Sequence, residues 1–240
     1  MDDLRALANY AAALCRYYLL DGESRSLSAD EKKNVDGIRQ VVPHREFTHA
    51  LDLLGEYVGF GNQHLLFLRS AFPFLSDEEK AAYLSYAWQK MKGSRSQRLA
   101  CELFQQAAPA LKATIPKSWP TAINVYRGGF VIDNNSMSHD KVVGEKSAGV
   151  LWRWVKKQVR NGIAWTTDRD VALGFTMVKQ QGPEEQRIIG CLGSATVSRQ
   201  DVIAYFGTPE GDIVCEFDEE NECIIDPQRI RRVTYEETSS

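Results

Sequence analysis

The sequence predicts an α+β fold, with a helical region over residues 1–118 and a strand-rich region over residues 119–240. Two patterns predict this division. Apolar residues in the first region recur at three- and four-residue spacing, which is the period of an amphipathic helix, whereas after Pro120 they alternate, which is the period of a strand. The second region holds several short strands and few helices, which indicates two packed antiparallel sheets.

Cap and breaker residues divide the helical region. Pro43 ends a polar helix, and Gly59 and Gly61 interrupt the apolar stripe that follows it. Ser76 and Glu79 have the spacing of a capping box, which opens the next helix. The expected helices cover approximately residues 4–18, 29–41, 47–58, 77–91 and 99–111. Their apolar stripes, including Trp and Met, are interpreted as core.

The strand-rich region contains one long helix between its first strands. This helix is expected over residues 147–160, because Asn161 and Gly162 form a stop signal after it. Asp168 is the expected N-cap of a further short helix. The expected strands cover approximately residues 123–130, 162–168, 187–197, 202–206, 213–217, 223–225 and 231–235.

Composition excludes several classes of protein. A net charge of −3 provides no global field for gathering nucleic acid, although a local basic face could still do so. The exposed face of the 147–160 helix carries Arg153, Lys156, Lys157 and Arg160, which fits a solvated surface or contact with nucleic acid. Five widely spaced cysteines without a CxxC pair, and histidines without ligand spacing, favour a reducing compartment and predict no metal site.

No apolar run reaches the roughly 18 residues that a membrane span requires, so no membrane partner is expected. The N-terminus is acidic where a secretory signal would be basic. We therefore expect a cytoplasmic protein, or one delivered into a target cytosol without a visible signal.

Three segments carry residues suited to a ligand site. Arg127 follows Tyr126 and precedes Gly128, so that a fork of hydrogen-bond donors lies beside backbone that a ligand can approach. Glu220 and Glu222 lie at i and i+2 before an apolar run, and both would face the same way if the segment is extended. Taken by itself, the Arg127 segment fits an arginine that pairs with a surface acid before a turn. The Glu220 and Glu222 segment by itself fits an acidic loop beside the edge of a strand.

The third segment is the strand that runs through Trp165, Thr166 and Thr167 into the helix that Asp168 caps. By itself it fits a core strand with a capped helix behind it. In this order, the three segments resemble the arginine-serine-glutamate class of ADP-ribosyltransferases, the cholera-toxin-like branch. That class has an aromatic-Arg pair, a Ser-Thr-Ser-type strand before a helix with a spaced Ala and Phe, and a Glu-x-Glu before an aliphatic run. The resemblance covers the C-terminal half of the chain, where Ala172, Phe175 and Pro227 complete the pattern.

The resemblance implies an ADP-ribosyltransferase-like fold of two packed sheets with NAD, as co-substrate, bound between them, and no metal. Glu222 would be the carboxylate that stabilises the ribosyl cation. Glu220 would orient the acceptor, and Arg127 would clamp the NAD phosphates. Gly128 would hold the nicotinamide carboxamide. The other NAD-binding residues implied are Tyr126, Trp165, Thr166 and Thr167.

Several alternatives remain at this point. Ala164-Trp165-Thr166 could be the true register of the Ser-Thr-Ser-type strand, which would leave Thr166 or Thr167 to supply the hydroxyl. The acceptor implied is protein arginine; the alternative is RNA or DNA, as for a toxin of a toxin–antitoxin or phage-defence system. A non-catalytic NAD-binding module is a further alternative. The helical region could recruit substrate, bind an antitoxin or inhibitor protein, or serve only in packing.

Overall fold

A computed structural model describes residues 2–91, 96–133, 148–176, 187–207 and 221–238 of the chain. The chain forms two compact units, Met1–Ala110 and Leu111–Ser240. The first unit is helical and the second contains the β-sheet, so the predicted α+β class is confirmed. The division falls in the last turn of a helix and precedes Pro116 and Pro120, the residues that separate the two patterns in the sequence.

Amphipathic helices build the first unit. Leu51, Leu65 and Phe67 are among the fully buried residues of its core. The capping box of Ser76 and Glu79 is present as predicted, and Ser28 forms a second box with Glu31. The helices described are α1 (Asp2–Leu20), α2 (Ala29–Val41), α3 (Phe47–Gly55), α4 (Asn62–Ala71), α5 (Asp77–Lys90) and α6 (Gln97–Leu111).

α4 was not predicted from the sequence, because this helix begins with polar residues after two glycines. Gln63 and His64 are nevertheless buried in the first unit. The Gln63 amide donates to the carbonyl of Gly59 at 2.7 Å, and the His64 ring is hydrogen-bonded at both nitrogens. Backbone partners therefore satisfy side chains that a hydropathy pattern assigns to solvent.

Six strands are described in the second unit, and all are antiparallel to their neighbours. They are β1 (Ala122–Asp133), β2 (Ala164–Thr166), β3 (Arg187–Ser198), β4 (Val202–Phe206), β5 (Glu222–Ile225) and β6 (Thr234–Thr238). β6 begins about three residues later than expected. The expected strand at 213–217 and most of the loop at 133–146 lie outside the described residues.

The expectation of two separate sheets is wrong for the described strands. They form one sheet in the order β4-β5-β2-β1-β3-β6. One residue pair, Tyr126 with Thr166, joins β1 to β2, whereas β1 and β3 pair along their whole length. Alternation of apolar residues in a sequence locates strands but does not show which strands pair with one another. The prediction therefore could not show that β1 and β2 join all six strands into one sheet.

A helix and a helical turn cover opposite faces of this sheet. α7 (Ala148–Asn161) buries Leu151, Val155 and Val159 against β1 and β3. A Cβ atom on Gly193 would come within 2.5 Å of a Val159 methyl group, so that glycine permits close packing of α7. The short helix α8 (Arg169–Gly174) lies on the other face, and the Asp168 carboxylate caps it as predicted.

Candidate active site where β1, β2 and β5 meet

A row of directly opposed residues crosses the sheet. Directly opposed residues of antiparallel strands project from the same face, so Thr166 lies between Tyr126 on one side and Glu222 on the other. The whole row consists of Phe206, Glu222, Thr166, Tyr126, Ser194 and Thr234. Pairing across three strands thus brings together one residue from each of the three sequence motifs.

Thr166 is the hydroxyl residue that faces the carboxylate of Glu222. It is 6% exposed, and its Oγ1 accepts a hydrogen bond from the backbone N–H of Asp168 at 3.0 Å. A threonine hydroxyl can accept one hydrogen bond and donate another, so the bond from Asp168 is compatible with Thr166 also acting as a donor. Thr167 lies beyond the end of β2, where its backbone N–H donates to the carbonyl of Asn221 at 3.3 Å. Of the two threonines, the structure assigns Thr166 to the row that contains Glu222.

The backbone turns immediately before Glu222. Asn221 has a φ of 45°, in the left-handed region that asparagine tolerates better than most residues. Its side-chain oxygen accepts a hydrogen bond from the hydroxyl of Tyr205 at 2.8 Å. The extended backbone required for Glu220 and Glu222 to share a face is therefore absent at Asn221, and Glu220 lies outside the described residues.

Arg127 projects from the opposite face to Tyr126, because successive residues of a strand alternate. Its Nη1 donates to the carbonyl of Ala164, the first residue of β2. Gly162 lies directly against the guanidinium, which fills the space that a Cβ atom on Gly162 would occupy. The Arg127 side chain thus bridges β1 and β2 beside the one position at which these strands pair.

Two residues expected to bind NAD have other surroundings. The space where a side chain would leave Gly128 is filled by the carbonyl of Ala172 and by Phe175 of the α8 segment. Trp165 is 1% exposed, and its indole N–H donates to the carbonyl of Gly162 at 2.9 Å. Gly128 therefore permits helix packing and Trp165 belongs to the core, so neither residue supplies the ligand surface that was expected.

Two exposed aromatic residues, which were not among the predicted binding residues, lie on the same face as the row. Phe175 is 50% exposed and follows α8, while Phe130 is 37% exposed and lies two residues beyond Gly128 on β1. Large exposed aromatics are suited to contact with a planar ligand. The spaced Ala172 and Phe175 of the third motif were the available signal.

The thiols near this site are poor nucleophiles. Burial is the main cause that raises the pKa of Cys223 above its usual range, and the negative charge of the Glu222 carboxylate is the second. Burial likewise raises the pKa of Cys191 to about 11. Both therefore remain protonated at neutral pH. In the described ranges there is no cluster of three or more His, Cys, Asp or Glu side chains arranged to hold a metal ion.

Comparison of the chain with protein-family models, with curated proteins and with solved structures found no match. None of the helices in the described part of the chain has the length and apolar character needed to cross a membrane.

Proposed function

We propose that the unit formed by residues 111–240 is a mono-ADP-ribosyltransferase that uses NAD as its co-substrate. The observation that carries the proposal is the row of Tyr126, Thr166 and Glu222 on three adjacent strands. It places a carboxylate opposite a buried hydroxyl, near exposed aromatic rings. An ADP-ribosyltransferase-like fold would require the β4-β5-β2 and β1-β3-β6 halves of the sheet, which one residue pair joins, to correspond to its two sheets.

The proposed reaction exchanges one glycosidic bond for another. The bond from C1′ of the ribose to the nicotinamide nitrogen breaks, and its electron pair leaves with neutral nicotinamide. A lone pair of the acceptor forms the new bond to C1′, and the acceptor releases one proton. Positive charge develops on the sugar during this exchange, and a fixed carboxylate stabilises such charge.

Each residue has a separate proposed role. Glu222 faces the developing charge, and the Thr166 hydroxyl orients its carboxylate. Arg127 leaves β1 on the opposite face from the row that contains Glu222, and we assign its planar donors to a pyrophosphate that passes the single pair joining β1 to β2. Phe175 and Tyr126 offer aromatic surface for the nicotinamide ring. In this proposal NAD, with its diphosphate, ribose and flat cationic ring, spans both faces of the sheet at the junction of β1 and β2.

The acceptor implied by the resemblance is protein arginine, through Glu220, which lies outside the described residues. The alternative acceptor, RNA or DNA, is supported by a described feature, the basic exposed face of α7. An antitoxin or inhibitor protein remains a proposed partner of the helical unit. The alternative without catalytic activity is an NAD-binding module.

Replacement of Glu222 by Gln tests the proposal. The amide keeps the shape but loses the charge, so nicotinamide release from NAD should fall on the order of 100-fold or more. Nicotinamide release is measured by chromatography, NAD affinity by calorimetry and folding by thermal melting. Glu237→Gln is the matched control, because it removes an exposed carboxylate from β6 of the same sheet. Wild-type protein that binds NAD but releases no nicotinamide, with or without a cell lysate, would support the binding module instead.

A further inference from the structure

The exposed side of α7 is strongly basic. Arg153, Lys156, Lys157 and Arg160 leave this helix away from its buried stripe, and α7 contains no acidic residue. This concentration of positive charge occurs in a chain whose net charge is −3. A local basic face on an acidic protein marks a surface for an anionic partner.

Two further arginines extend this surface. Gly193 lies beneath both Val159 of α7 and Val233, because a Cβ atom there would lie within 2.5 and 3.2 Å of their methyl groups. The segment that ends at Val233 therefore runs beside the last turns of α7, and it carries exposed Arg231 and Arg232. We call these two arginines and the four cations of α7 the α7 basic surface.

The cations of this surface can be compared with the other charged side chains of the described residues. Within the described residues, none of the six forms an ion pair with a carboxylate. Elsewhere in the described chain, cations such as Arg45 and Arg169 pair with Glu79 and Glu236 at 3.0 and 2.9 Å. The α7 basic surface thus retains charge for a partner.

Aromatic side chains are interleaved with these cations. The ammonium of Lys156 lies 5.3 Å from the ring centroid of Trp152 and 5.7 Å from that of Tyr235. Trp154 is 53% exposed on the same helix. Cations that follow a phosphate backbone, together with rings on which bases stack, are the two elements of a single-strand binding platform.

From this combination we infer that the α7 basic surface binds single-stranded nucleic acid, and that nucleic acid is the acceptor class of the proposed transfer. The second statement rests on the proposed function; the first does not. α7 ends at Asn161, and Gly162 then lies against Arg127, so the Arg160 end of the surface adjoins the junction of β1 and β2. A strand bound along α7 would therefore lie beside Arg127, on the face of the sheet opposite the Glu222 row, and would reach the sugar only past the single pair that joins β1 to β2.

Binding is measured without NAD, by fluorescence anisotropy of the full chain with labelled single-stranded RNA, single-stranded DNA, duplex DNA and polyglutamate. The test variant is Arg153→Glu with Lys157→Glu. Its matched control is Arg5→Glu with Lys33→Glu, which makes the same charge change at exposed positions of α1 and α2. Thermal melting verifies folding, and Trp154→Ala tests stacking separately.

The wild type and the control should bind a single strand with a steep salt dependence, and the α7 variant at least tenfold more weakly, with a shallower slope. Trp154→Ala should weaken binding about tenfold. Preference for RNA or for DNA identifies which strand is bound. Equal binding by the α7 variant and its control, or polyglutamate binding as tight as that of a single strand, would overturn the inference. If the single strand binds but receives no ADP-ribose while nicotinamide is released, the acceptor assignment fails and the transferase proposal stands.

Discussion

Thr166 and Thr167 are neighbours with different surroundings, and this difference tests the role of the hydroxyl. Thr166→Val should lower nicotinamide release about tenfold or more, because the carboxylate of Glu222 loses the hydroxyl opposite it. It should also cost about 1–3 kcal/mol of stability, since the Asp168 N–H loses its acceptor. Thr166→Ser keeps the hydroxyl and should retain activity, whereas Thr167→Val should remain near wild type. Steady-state kinetics and melting curves separate the two effects; equal losses in both Val variants would contradict the assignment.

Arg127 can be tested both by replacing it and by displacing it. Arg127→Lys should weaken NAD binding about tenfold or more, because an ammonium cannot reproduce the planar fork. Gly162→Ala should have a similar effect with the arginine intact, because its methyl group would occupy the position of the guanidinium. Calorimetry with NAD measures both. Unchanged affinity in both variants, with a lowered melting temperature, would show that Arg127 only braces β2 against β1.

At the scale of the element, packing of α7 on the sheet depends on a missing side chain. Gly193→Ala should destabilise the protein by about 1–3 kcal/mol, because the added methyl group meets Val159 and Val233. Gly174→Ala is the matched control: nothing lies within 4 Å of the position that its methyl group would occupy, and alanine favours the helix. Differential scanning calorimetry should show opposite shifts in the melting temperature. A stabilising Gly193→Ala would mean that α7 can move away from β3 at little cost.

Elements also show where sequence patterns were sufficient. α2 was predicted as a polar helix that ends before Pro43, and its bounds at Ala29 and Val41 agree with that prediction. α4 was not predicted, because its first residues are polar and the burial of His64 depends on the Leu51 carbonyl of the preceding helix. A local pattern also could not distinguish Gly128, which permits helix packing, from a ligand-binding glycine. Nor could it show that the described strands form a single sheet.

For the whole molecule, His64 predicts a loss of stability in mild acid. Its Nδ1 accepts from the Gly61 N–H at 3.1 Å, and its Nε2 therefore donates to the Leu51 carbonyl at 3.0 Å. Burial lowers the pKa of His64 to about 4 from 6.5, with the nearby Lys90 acting in the same direction and the two backbone bonds and Asp52 opposing it. Because the folded pKa is depressed, the stabilisation is complete above about pH 6.5 and is lost as the pH falls toward about 4.

This acid sensitivity can be measured by chemical unfolding followed by circular dichroism. Between about pH 7 and pH 4, His64 alone should remove roughly 3 kcal/mol from the free energy of unfolding. The comparison is with His49→Gln, which changes a largely exposed imidazole 3.6 Å from Glu46 and should keep the same pH profile. His64→Gln should be less stable at neutral pH and should show a smaller fall in acid. A wild-type profile that is flat over this range would contradict the burial argument.

The sequence by itself determined the α+β class, most element positions, the Asp168 and Ser76 caps and the three motifs, because these depend on periodicity and on neighbours within one turn. Only the tertiary structure decided that Thr166 rather than Thr167 opposes Glu222, that Trp165 is buried and that α8 fills the space beside Gly128. Strand register and helix docking join residues many positions apart, and a local pattern contains no information on which of them meet. For the same reason, the six cations of the α7 basic surface form two separate runs in the sequence. The packing of Val233 beside Val159 brings the two runs to one surface.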